Sequence, residues 1–123
     1  MPTALVVLAD PAGGDDAAGR VFNALAAARD FHRHGDDVRV VFQGAATRWP
    51  ALLADPAHPF HALWSSVEPL VAGVCAACAH VFGARESAEA AGLQLLGGNP
   101  IEGVGELTSL AQYVTDGYTL VTF

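Results

Sequence analysis

Apolar residues follow two rhythms along this chain. Compact runs rich in branched side chains lie at Thr3–Ala9, Asp37–Gln43, Leu70–Val74, Leu93–Leu96 and Tyr118–Phe123. Such runs suit strands that are covered on both faces. Between the first two, Ala18, Val21, Leu25 and Ala28 recur at helical spacing, widened by Phe22 and Phe31, and predict a long helix. Asp10-Pro11-Ala12-Gly13-Gly14 stops the first strand, and Asp15 and Asp16 stand where an N-cap and an acidic first turn favour a helix start. Arg33 and His34 fall in the last turn, with Gly35 as the C-terminal cap. A strand, helix and strand of these lengths predict a parallel pair joined by a right-handed crossover.

The second half is more broken. Trp49-Pro50 opens a short helix over residues 51–54, which Asp55-Pro56 interrupts. Phe60, Leu63, Trp64 and Val67 mark another helix, ended by Pro69. With His58 and His61, this is the most aromatic part of the chain. It suits either ordinary core or a surface that meets another subunit, where aromatics are enriched. Beyond the third run, helices are expected over residues 76–81 and 85–91, the latter capped by Gly92. Gly97-Gly98-Asn99-Pro100 turns the chain, and Asn99–Gly103 reads as a loop at the sheet edge. Val104, Leu107, Leu110 and Val114 then predict a last helix, capped by Gly117. Alternation throughout predicts one three-layer α/β domain over residues 1–123, with a mostly parallel sheet.

Composition narrows the partners. The chain has 123 residues, enough for one core and too few for two. It carries a net charge of −7, with six arginines and no lysine. Phosphate backbones and anionic membranes repel such a surface, so neither nucleic acid nor membrane is expected as a partner. Leu5–Leu8 is too short for a transmembrane helix and lacks the positive flank of a signal peptide. A cytoplasmic protein is expected, in which cysteines stay thiols rather than forming a structural disulfide.

Chemistry concentrates in Val74-Cys75-Ala76-Ala77-Cys78-Ala79-His80, which holds both cysteines. In parallel α/β sheets, reactive groups collect at the carboxyl ends of strands, where Cys75 is expected. At the mouth of the next helix, unpaired N–H groups would favour its thiolate, the form that attacks sulfur. Cys78 would lie one turn on, on the same face. The plainer alternative is that one or both cysteines act as small buried hydrophobes. Cys75, Cys78 and His80 invite a zinc reading, but a structural site needs four ligands and the chain has no second Cys/His pair. No metal or other cofactor is expected. A dithiol redox pair stays open. Gly13-Gly14 lacks a phosphate-loop pattern, and Ser65-Ser66, Thr108 and Ser109 lack the setting of a nucleophile elbow.

The chain resembles the DsrE/DsrF-like proteins, which include bacterial sulfur-relay subunits. The likeness is carried by Leu5-Val6-Val7-Leu8-Ala9 running into an acidic glycine-containing loop and a helix ending at Gly35. It continues in the strand from Val38 to Gln43 closed by Gly44, in Val74–Gly83 with a glycine eight residues after the first cysteine, and in Gly117–Phe123. It implies an α/β/α sandwich around a five-stranded parallel sheet, assembled as trimers or hexamers. It also implies that Cys75 carries sulfur as a persulfide between a protein donor and a protein acceptor, as a sulfur transferase without bound cofactor. Relay subunits commonly place an arginine before the glycine, where this chain has Phe82. They also lack a counterpart of Cys78, which resembles the family's two-cysteine branch. A non-catalytic oligomeric binding module is the alternative reading.

Overall fold

The first strand, β1 (Thr3–Val7), is buried at every position and leads into helix α1 (Gly14–Arg33). Strand β2 (Val38–Phe42) follows, then a 3₁₀ turn (Gly44–Arg48) and the short helices α2 (Trp49–Leu53) and α3 (His61–Val67). Strand β3 (Val71–Cys75) runs directly into α4 (Ala76–Val81), followed by α5 (Arg85–Ala90) and β4 (Leu95–Leu96). A hairpin of β5 (Gly98–Ile101) and β6 (Gly105–Thr108) precedes α6 (Leu110–Thr115) and β7 (Thr119–Thr122). This description rests on a computed structural model that covers all residues from Met1 to Phe123.

Five strands form one parallel sheet in the order β4-β3-β2-β1-β7. The expected α/β sandwich around a five-stranded parallel sheet is the observed one. The steps from β1 to β4 all move the same way across the sheet, so right-handed crossovers place α1 to α5 on one face. Their core-facing residues (Val21, Leu25, Leu53, Trp64, Val67 and Ala88) share one cluster with Leu5, Val7, Val40, Phe42 and Val74 of the sheet. The chain then crosses from β4 to the opposite edge to form β7, which carries the hairpin and α6 to the other face. Ala4, Val6, Val41 and Cys75 alternate with the cluster residues along their strands and are buried there.

The first β-loop-α unit matches its pattern in detail. Gly35 has a φ of +90°, and its N–H reaches His32 O at 3.0 Å while Asp36 N–H reaches Phe31 O at 3.1 Å. That is the Schellman closure a glycine permits. Asp15 and Asp16 lie in the first turn of α1 rather than capping it, since the helix starts at Gly14 with no side-chain cap. The aromatic segment is core: Trp49 and Trp64 are each 3% exposed. Trp49 Nε1 donates to Ala9 O at 2.8 Å, and Trp64 packs edge-on against Phe42.

Two expectations fail between residues 98 and 110. The supposed loop Asn99–Gly103 is mostly strand β5, and the helix anticipated from Val104 begins only at Leu110. Gly98, Gly103 and Gly105 have φ of +107°, +78° and +121°, values that favour a twisted hairpin and that a helix cannot hold. Val104, 55% exposed, sits at the hairpin turn, and its helical spacing to Leu107 is accidental. Ser109 caps α6 instead, accepting from Gln112 N–H at 3.2 Å.

Candidate functional site

Five parallel strands bring their carboxyl ends to one rim, and Cys75 closes the third of them. It is the final residue of β3 and also the N-cap of α4, with φ −58° and ψ 126°. Strand geometry thus turns into helix geometry at the cysteine itself. Cys78 follows in the first turn of α4, and both cysteines are free. The expected meeting of Cys75 and Cys78 on one face is observed.

Their exposures differ. Cys75 is 0% exposed, whereas Cys78 is half-buried. The hairpin lies over the pair, and Thr108, the last residue of β6, faces the Cys75 sulfur. Hairpin and helix approach closely at Gly105, where a Cβ would make ordinary contact with the Cβ of Ala77 at 3.6 Å, and it is the φ of +121° that calls for glycine. Thr108 is buried and gives its hydroxyl proton to Gln43 Oε1 at 2.6 Å. Gln43, also buried, follows the last residue of β2.

These neighbours pull the two thiols apart in acidity. Burial pushes the Cys75 thiol up, but the Cys78 side chain and N–H, with smaller help from the Thr108 N–H and hydroxyl, outweigh it and hold Cys75 below the usual thiol range. The Cys75 side chain makes no capping hydrogen bond to α4. The donors aimed at it grip harder once the sulfur is charged. For Cys78, burial and the adjacent Cys75 both push the pKa up, and the Gly44 N–H opposes them only in part. As a monoanion, the pair keeps its charge on Cys75 and its proton on Cys78.

Other candidates stand apart from the pair. His80 is exposed in the last turn of α4. His58 accepts from Phe60 N–H at 3.0 Å, and His61 donates to Leu53 O at 2.8 Å, so both are engaged within their own segment. No group of three or more His, Cys, Asp or Glu side chains converges on a point. Two clefts of about 330 Å³ each have Thr108 in their walls, and neither is lined by a cysteine. Thr108 and Gln43 are the site residues that sequence reasoning missed. A signal existed for Gln43, a polar residue at the carboxyl end of a buried strand.

Arg48 adds a detail at the far end of α4. Its Nε donates to Phe82 O at 2.8 Å, and its guanidinium stands 5.5 Å from the Phe82 ring centre. An arginine therefore covers the residue before Gly83, but it comes from the turn after β2.

The DsrE/DsrF-like family model matches residues 1–123. The chain belongs to the DsrE/DsrF-like family. Among solved structures, it is similar to a conserved protein of unknown function from Bacteroides thetaiotaomicron, BT1422. The TM-score is 0.58 at 14% identity, covering 98% of this chain and 94% of that one. It is also similar to the ychN protein from E. coli, with a TM-score of 0.54 at 18% identity and full coverage of both chains. At these identities the likeness concerns the fold of the family. No curated protein sequence matches the chain. No helix is long and apolar enough to cross a membrane.

Proposed function

We propose that this member of the family is a cytoplasmic sulfur carrier that holds sulfane sulfur as a persulfide on Cys75. The observation that carries this reading is the state of Cys75: closed from solvent, at the end of β3, with its thiol held below the usual range. An acidic thiol supplies the thiolate that attacks sulfane sulfur, and enclosure shields the resulting persulfide from stray thiols. The chemistry requires no bound cofactor, only a protein donor and a protein acceptor. Family membership supports this relay role and an oligomeric assembly, a trimer or a hexamer, in which it would operate.

Mass spectrometry of the intact chain tests the assignment. After exposure to a persulfide donor and brief transfer into donor-free buffer containing a free thiol, the wild type should retain one added sulfur atom and Cys75→Ser should retain none. Retention by Cys75→Ser would sink it. A dithiol redox role is the second reading, because the thiols are adjacent. Equilibration in thiol–disulfide buffers with no Cys75–Cys78 disulfide at any accessible potential would remove that reading.

A further inference from the structure

Cys75 is enclosed by β3, α4 and the end of β6, and none of its surface meets solvent. Displacement at sulfur needs the attacking, central and leaving sulfurs nearly in line, so a donor must reach the nucleophile itself. No donor outside the fold can do so while Thr108 stays in place. Cys78 is three residues on, beside the same sulfur, and partly open to solvent. On the persulfide reading above, on which this inference rests, we propose that Cys78 is the thiol through which sulfane sulfur passes into and out of the site, and that Cys75 is the inner holding thiol.

The transfer is two displacements. The Cys78 thiolate attacks the outer sulfur of a donor R–S–SH. A bond forms between that sulfur and Cys78 Sγ, the donor's S–S bond breaks, and its electron pair leaves on R–S⁻. The Cys75 thiolate then attacks the same outer sulfur, now on Cys78–S–SH. This gives Cys75–S–SH and frees Cys78 as its thiolate. Each step makes one S–S bond and breaks one, so no oxidant or reductant enters. Delivery to an acceptor thiol is the reverse sequence. In the resting pair Cys78 holds the proton; it becomes a nucleophile by passing it to Cys75 alongside, and Cys75 hands it to the departing R–S⁻ before its own attack, so the donor leaves as R–SH.

The geometry suits the exchange. An N-cap residue and the residue three beyond it stand one helical turn apart, so their side chains meet without backbone movement. Gly44 N–H faces Cys78 Sγ and offers a donor to a thiolate or a persulfide there. Thr108 holds the cover shut through its bond to Gln43.

Glutathione persulfide, a small donor, tests the proposal with time-resolved intact mass spectrometry. Cys75→Ser should gain a sulfur at least as fast as the wild type, because Cys78 ionises more readily without Cys75 beside it, but lose it on transfer to donor-free buffer containing a free thiol. Cys78→Ser should load slower by about tenfold or more, as expected where access limits thiol exchange. Adding Thr108→Gly to Cys78→Ser should recover much of the rate, because it trims the cover. Loading of Cys78→Ser at the wild-type rate would overturn the inference while leaving a persulfide on Cys75 intact. Sulfide release with a Cys75–Cys78 disulfide would overturn it too. No sulfur on the wild type would fail the underlying reading instead.

Discussion

At the scale of residues, the two thiols are each other's main environment. Cys78 lowers Cys75 by favouring its thiolate, and Cys75 raises Cys78 by opposing a second charge. Removing either partner should move the survivor toward the ordinary value near 8.5. Cys75 in Cys78→Ala should therefore need a higher pH to ionise, and Cys78 in Cys75→Ala a lower one. Thiolate ultraviolet absorbance against pH, which needs no reagent to reach the enclosed sulfur, checks both signs. In the wild type, the Cys75 thiolate signal should fade only as pH drops below the ordinary thiol range. Thr108→Val keeps the side-chain shape but removes the hydroxyl. Gln43 Oε1 then loses its buried donor, at a cost of about 1–3 kcal/mol read as a lower urea midpoint, and the Cys75 pKa should rise slightly.

At the scale of elements, β3 is set by a glycine. A Cβ at Gly73 would lie 2.3 Å from the Gln94 carbonyl oxygen and 3.1 Å from Leu96 Cγ. Gly73→Ala must push β4 away from β3, with Cys75 two residues downstream. A loss of about 1–3 kcal/mol or more is expected from such overpacking, measured by urea unfolding, with faster alkylation of Cys75 as its surroundings loosen. Much of this layer was legible beforehand. The unbroken run Thr3–Ala9 announces a strand sealed on both faces, which holds for Thr3–Val7 while Leu8 lies past its end and is exposed, and the stripe through Val21, Leu25 and Ala28 announces α1. The hairpin was not legible. Leu107 and Leu110 keep helical spacing by chance, while the glycines at 98, 103 and 105 act through backbone torsions that a hydrophobic pattern does not register. The same gap hid Thr108, since only the hairpin brings it to Cys75. The position of Cys75 at a strand end was readable. Its enclosure was not, because it depends on a segment more than thirty residues away in sequence.

For the whole molecule, a charge of −7 with a pI near 4.9 bears on which donors arrive. Anionic donors such as inorganic polysulfide are repelled, so their loading rate should rise severalfold between low and moderate salt as the field is screened. A basic protein donor should show the opposite slope, and time-resolved mass spectrometry across a salt series distinguishes them. The sheet order carries a further consequence, for folding in time. β7 pairs with β1 along Thr3↔Thr119 to Val6↔Thr122, so almost the whole chain separates the two partners. While the polypeptide emerges from the ribosome, β1 can pair with β2 early, yet its other edge stays open until β7 has been made. During that wait a neighbouring nascent chain can take the vacant place, so slower synthesis of the stretch from β4 to β7 should increase aggregation without changing the stability of the finished fold.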